Sequence, residues 1–68
     1  MRQEMRDALR DAIEALSERE QLVVTLYFYE GLNLSEISDV LRVSVQRVSQ
    51  INAKAIARLR SAMEEYLY

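Results

Sequence analysis

Hydrogen-bonding side chains recur after Ser44 at the spacing of one helix face. Gln46 and Gln50 stand four residues apart, and Ser49 stands beside them. A glutamine amide can bond adenine N6 and N7 as a bidentate pair, and a serine hydroxyl can donate or accept. These side chains therefore have the chemistry to contact base edges, and they would equally suit a solvated helix face.

Cations flank the same segment. Arg47, Lys54 and Arg58 fall on one flank of the helix that this spacing predicts. Ala53 and Ala57 fall on the same face as Gln46 and Gln50. Arginine and lysine contact phosphates and fix the register of a protein on a duplex without specifying its sequence. Small side chains let a helix approach the bases of a duplex closely. The alternative is that the cations serve solubility alone.

The charge distribution favours phosphate contact. The net charge is −2, which by itself disfavours a nucleic-acid partner. Residues 1–40 sum to −5, whereas residues 41–60 carry five cations and no acid. An uneven distribution is a better guide to a partner than the total. The acid-free window predicts phosphate contact by Arg47 and Lys54, and leaves Arg58 and Arg60 open.

Composition limits the class of protein. The chain has 68 residues, which predicts a single domain over residues 1–68, and half of them are apolar. It has one glycine and no proline, cysteine or histidine, so disulfides, zinc or haem sites and Cys/His catalytic pairs are excluded. We expect no cofactor, no metal, no catalytic residue, no signal peptide and no membrane span, and therefore a cytoplasmic protein.

Hydrophobic periodicity predicts an all-α fold of four helices, at about residues 2–15, 17–30, 34–41 and 45–63. The start signals are two capping boxes, at residues 17–20 and 33–36, and Ser44. Gly31 is expected to end the second helix in a left-handed conformation. The last two helices predict a helix-turn-helix at about residues 34–62. Val43 fills its turn, and Arg42 stands where such turns usually have glycine.

The second predicted helix is apolar nearly all round. Leu22, Leu26 and Tyr29 are expected in the core. A domain this small cannot bury the remainder, and exposed apolar patches often mark partner sites. We therefore predict a partner surface, which comprises Val23, Val24, Tyr27 and Phe28. Tyr66, Leu67 and Tyr68 either fold back on the core or belong to a partner surface.

Residues 16–60 resemble region 4, the C-terminal domain, of bacterial RNA polymerase sigma factors. The segments that carry the resemblance are LSEREQLVVTLYFYEGLNLSEIS, the turn LRVS, and QRVSQINAKAIARLR. They agree with the family in spacing and residue type across three helices without a gap. Within the family, the YFYE and RVSQI segments are more similar to the flagellar and sporulation class than to the housekeeping class.

The resemblance implies a function in promoter recognition. Region 4 binds the −35 element of double-stranded promoter DNA through its helix-turn-helix, docks on the β flap of RNA polymerase, and can be masked by anti-sigma factors. By position, the residues that it implies to face bases are Val45, Gln46, Ser49 and Gln50. Those that it implies to face phosphates are Leu34, Ser35, Arg47 and Lys54. We expect a monomer.

Two departures qualify the resemblance. Housekeeping sigma factors tend to have charged residues where this chain has Val45, Gln46 and Ser49, so a different promoter sequence is expected. Val45 would suit an apolar contact with a thymine methyl. The chain also has no counterpart of the regions that melt DNA and contact the downstream promoter element, so it is expected to be a fragment or an isolated domain, not a working initiation factor.

Two other functions remain open at this point. A free-standing helix-turn-helix regulator would normally dimerise to contact two half-sites, which sedimentation would detect. A pure protein-interaction module would keep its activity after Gln46→Ala and Gln50→Ala, and would lose it after Val23→Asp or Phe28→Asp.

Overall fold

The computed structural model describes residues 2–66, and within them the only regular elements are helical. The helices are α1 (Gln3–Glu14), α2 (Glu18–Val24), α3 (Leu34–Leu41) and α4 (Val45–Ala62). A π-helical turn, Thr25–Tyr29, continues α2, and a 3₁₀ turn, Glu64–Tyr66, follows α4. The all-α prediction is confirmed. None of the described helices is both long and apolar enough to cross a membrane.

Side-chain caps set the helix starts. At α2, Glu20 N donates to Ser17 Oγ at 3.1 Å, and Ser17 N donates to Glu20 Oε1 at 2.9 Å. Asn33 and Glu36 make the same reciprocal pair at α3, at 2.8 and 2.9 Å. Ser44 Oγ accepts from the amide at the third position of α4 at 3.0 Å. Each cap satisfies amides that the first helical turn would leave without a partner.

The buried cluster joins three helices. Val23 from α2, Ile37 from α3 and Val48 from α4 are fully buried, and Ile51 is 5% exposed. Helix α4 also packs against α1, so it contacts all three of the other helices. One face of α4 therefore lies in the core along much of its length.

The turn between α3 and α4 has the predicted form. Val43 packs against the buried cluster, and its amide donates to Ser38 O at 3.2 Å. Arg42 ends α3 with φ of +58°, in the left-handed region. A β-carbon in that region is crowded by the following carbonyl, which costs about 1–2 kcal/mol. The arginine thus adopts the conformation for which glycine is usually selected.

The end of α2 differs from the uninterrupted helix that the sequence predicts. Glu30 N donates to Thr25 O at 3.0 Å, five residues back, which makes the turn wider than an α-helical one. Gly31 then takes φ of +75°, as predicted, and Leu32 N donates to Leu26 O at 2.9 Å.

Three predictions for α2 and the π-helical turn after it were wrong. Val23, expected on the partner surface, is fully buried, because it lies on the same helix face as Leu26, and that face packs toward the core. Leu22 is rotated away from this face and is 42% exposed, not buried. Tyr29 ends the π-helical turn and is 85% exposed. Tyr66 is half-buried, whereas residues 67 and 68 lie outside the described residues.

The left-handed backbone at the turn gives a stability prediction. Arg42→Gly should raise the free energy of unfolding by about 0.5–1 kcal/mol, because it removes the crowding but adds freedom to the unfolded chain. Arg42→Val should lower it by about 1 kcal/mol or more, because a β-branched side chain fits this region worst. Urea unfolding of both variants measures the difference.

Gly31→Ala is the matched control at the other left-handed position. A β-carbon there meets no atom within 4 Å, so only the backbone penalty is tested. We expect a loss of about 1 kcal/mol. A neutral Gly31→Ala together with a destabilising Arg42→Gly would contradict this account of both turns.

Candidate nucleic-acid interface

An exposed polar face occupies the first half of α4. Its residues, called the recognition face below, are Val45, Gln46, Ser49 and Gln50, and all four are exposed. Val48, which lies among them in sequence, and Ile51, which follows Gln50, are buried in the core. The burial of one helix face therefore turns the other outward, as the sequence predicts. That these side chains contact bases stays a prediction.

An open groove of about 390 Å³ lies between the start of α2 and the flank of α4. Its charged and polar lining, called the basic groove below, comprises Ser17, Arg19, Glu20, Arg47, Gln50, Lys54 and Arg58. The groove thus shares Gln50 with the recognition face. The sequence predicted that the cations of α4 lie on one flank of that helix. It did not indicate that Arg19 and Glu20, from α2, line the same groove.

Glu20 is a buried carboxylate within this basic groove. It is 5% exposed, and its Oε1 accepts both from Ser17 N at 2.9 Å and from Arg58 Nη1 at 3.2 Å. The Arg58 side chain is 51% exposed. The contact joins α2 to α4 across 38 residues of sequence. The capping box revealed the local partner of Glu20, but no pattern in the sequence indicated the distant one.

The surroundings of Glu20 keep it charged. The hydrogen bond from the Ser17 amide lowers its pKa below the ordinary value of 4.5, and burial acts against this by disfavouring the charged form. The Ser17 hydroxyl and the positive charges of Arg58 and Lys54 lower it further. A carboxylate is therefore present in the groove at neutral pH.

Two of the predicted phosphate-binding residues, Leu34 and Ser35, lie at the start of α3. Ser35 is exposed, whereas the side chain of Leu34 packs against the core cluster. A phosphate contact at Leu34 would therefore use its backbone N–H. Free amides at a helix start and the positive end of its dipole favour an anion at this place.

A second groove is apolar. It has a volume of about 410 Å³, and its lining, called the aromatic patch below, comprises Ile13, Val24, Thr25, Phe28 and Tyr29. Phe28 is 59% exposed and meets the Tyr27 ring edge-on, with ring centroids 4.8 Å apart. The patch includes Val24 and Phe28 from the predicted partner surface. Among residues 2–66, no cluster of three or more carboxylates could hold a metal ion.

These features define a class. A short helix, a turn at residues 42–44, and a longer helix with an exposed polar face and flanking cations make a helix-turn-helix of the DNA-binding type. A family model described as Sigma-70, region 4 matches residues 12–61. The chain belongs to this family, which confirms the resemblance seen in the sequence.

Individual relatives agree with the family. RNA polymerase sigma factor FliA of Salmonella typhimurium is 55% identical over 60 residues, which are 88% of this chain and 25% of that protein. The FliA of Pseudomonas aeruginosa is 52% identical over 59 residues, 87% of this chain and 24% of that protein. RNA polymerase sigma-D factor of Bacillus subtilis is 43% identical over 67 residues, 98% of this chain and 26% of that protein.

The chain is thus region 4 of a flagellar-type sigma factor, as the resemblance indicated. It spans about a quarter of the length of these curated relatives. A comparison with solved structures gave no significant match.

The lowered pKa of Glu20 predicts a pH dependence of stability. A group whose pKa is lower in the folded than in the unfolded state stabilises the fold above its unfolded value, and that stability is lost as the pH falls through the folded value. We expect the free energy of unfolding to fall below about pH 4.5, and to fall less in Glu20→Gln. Urea unfolding at several pH values measures both, and equal falls would contradict the prediction.

Proposed function

We propose that this domain recognises the −35 promoter element by non-covalent readout, as the C-terminal domain of an alternative sigma factor. The observation that carries the proposal is the exposed recognition face on α4, flanked by the cations of the basic groove, in a chain of the sigma-70 region 4 family. The same membership favours this function over a free-standing regulator or an interaction module.

In this proposal the side chains of α4 divide into two groups. Gln46 and Gln50 bond adenine edges, Ser49 donates or accepts, and Val45 packs on a thymine methyl. Arg47 and Lys54 bind backbone phosphates and set the register. The amides at the start of α3 bind a further phosphate. The domain needs no cofactor, catalyses no reaction, and acts as a monomer in the cytoplasm.

We propose that affinity comes mainly from attachment to polymerase. One small module that contacts a few phosphates binds weakly at physiological salt, and the charge of −5 over residues 1–40 adds a net repulsion of DNA. Docking on the β flap would raise the effective concentration of the domain at a promoter. The isolated domain is therefore expected to bind its site with a dissociation constant in the micromolar range or weaker.

The aromatic patch is the proposed docking surface for the β flap. Its walls are mainly apolar side chains, and its two aromatic residues, Phe28 and Tyr29, are both more than half exposed, so they form a contiguous exposed apolar patch of the kind that marks interaction sites. Flap docking explains why a small domain leaves such side chains uncovered. An anti-sigma factor that covered the same patch would compete with polymerase.

The base contacts are tested by selecting duplexes from a random pool at low salt, with the domain fused to the flap segment. We expect a short enriched motif. Gln46→Ala and Gln50→Ala should each weaken binding to that motif by about 1–3 kcal/mol, with little effect on other duplexes. Arg47→Ala and Lys54→Ala should weaken binding to all duplexes and reduce the salt slope by about 0.9 each.

Gln3→Ala is the control, because Gln3 is an exposed glutamine on α1. It should change neither the motif nor the affinity. Salt-sensitive binding without any motif would contradict base readout. A nanomolar dissociation constant for the isolated domain at physiological salt would contradict the proposed dependence on polymerase.

The docking surface is tested with Phe28→Asp. It should abolish binding to the flap segment, because a carboxylate in the aromatic patch would lose its water without gaining a partner. The fold should persist, because Phe28 is exposed. Calorimetry with the flap segment measures binding, and circular dichroism checks the fold. Val23→Asp is unsuitable for this purpose, since Val23 is fully buried.

Val40→Asp is the matched control, because Val40 on α3 is 58% exposed against 59% for Phe28. It places the same charge on an equally exposed apolar position outside the aromatic patch. Flap binding that survived Phe28→Asp, or that Val40→Asp abolished equally, would rule out this patch as the docking surface.

A further inference from the structure

The Glu20 carboxylate in the basic groove opposes the phosphate binding that is proposed for the cations around it. A negative charge beside Arg47, Lys54 and Arg58 repels the phosphates that these cations are placed to attract. Capping α2 does not require the charge, because glutamine also serves at this position of a capping box. Glu36 caps α3 with the same geometry and is exposed, without a cation among its hydrogen-bond partners. The burial and the ion pair of Glu20 therefore need a separate explanation.

The Glu20 carboxylate forms an ion pair with one arginine, Arg58. Its Oε1 accepts from Arg58 Nη1 at 3.2 Å, while its Oε2 is buried without a hydrogen-bond partner. Ser17 N holds the carboxylate in place from the side of α2. The carboxylate is thus anchored at one helix and paired with a partly exposed cation of another.

We propose that Glu20 is a specificity-determining residue, which withholds Arg58 from backbone phosphates and so confines the phosphate contacts of the α4 side chains to Arg47 and Lys54, nearer the recognition face. This inference rests on the proposed function. Glu20 acts through Arg58 and does not contact DNA itself. Its effect is therefore on the position at which the duplex binds.

The position of Arg58 explains why withholding it raises specificity. It lies eight residues beyond Gln50 on α4, about 12 Å along the helix axis. A phosphate bound so far from the recognition face allows a duplex to lie along the basic groove without base contacts. Phosphate contacts add affinity for every sequence alike. A free Arg58 would therefore strengthen incorrect binding more than correct binding.

The test compares the chain with its Glu20→Gln variant, which keeps the cap and loses the charge. The probes are a duplex that carries the selected motif and a scrambled duplex, between 50 and 200 mM salt. We expect binding to the scrambled duplex to strengthen about eightfold near 0.1 M salt, and its salt slope to steepen by about 0.9, the value of one added phosphate contact. The preference for the motif should fall.

Asp7→Asn is the matched charge control. Asp7 pairs with Arg10 at 3.3 Å on α1, in an exposed ion pair, so the variant removes the same charge from a pair outside the basic groove. It should leave the salt slope and the preference for the motif unchanged. An equal effect of Asp7→Asn would overturn the proposal, because net charge alone would then account for the result.

Arg58→Gln gives a second test that leaves Glu20 in place. We expect it to leave the salt slope unchanged, because no phosphate contact is lost, and the Glu20→Gln effect to disappear in the double variant. Arg58→Gln that lowers the salt slope by about 0.9 would overturn the proposal, since Arg58 would then bind a phosphate despite Glu20. Motif binding by the parent chain with no effect of Glu20→Gln overturns this inference alone. Absence of any motif overturns the proposed function as well.

Discussion

The burial of Val48 against Val23 and Ile37 is the constraint on which the remaining structure depends. It is the point where α2, α3 and α4 meet, and it fixes the rotation of α4 about its axis. Once Val48 and Ile51 face inward, Gln46, Ser49 and Gln50 must face outward. Since α4 is also the helix that every other helix contacts, the core and the proposed interface are opposite faces of one element. A change in the packing of Val48 would therefore move the recognition face.

The start of α2 combines two functions in one side chain. Glu20 caps its own helix and pairs with Arg58 on α4, so local helix formation and the tertiary arrangement of charges are coupled. A partly exposed ion pair contributes little to stability. The proposed importance of the Glu20–Arg58 pair lies in its location, because the pair determines which cations of the basic groove are free to bind a phosphate.

The end of α2 departs from regular helix next to the aromatic patch, the proposed docking surface. The π-helical turn accommodates a run of apolar residues too dense for one helix face, and it leaves Phe28 and Tyr29 exposed. Turns of this kind are rare and are frequently found at functional sites. The strained Arg42 at the other turn is a comparable departure, where the helix ends in the left-handed region without glycine.

The sequence by itself determined the four helices and where they start, because caps and periodicity act within a few residues. The capping boxes at residues 17–20 and 33–36, the left-handed Gly31 and the bounds of α3 were all predictable. So was the outward face of α4, because one buried stripe defines its opposite. Tertiary structure alone decided that Val23 is core, that Tyr29 is exposed, and that Arg19 and Glu20 line the basic groove. On a helix that is apolar all round, periodicity cannot identify the buried face. A contact across 38 residues depends on how the helices pack, which no local pattern encodes.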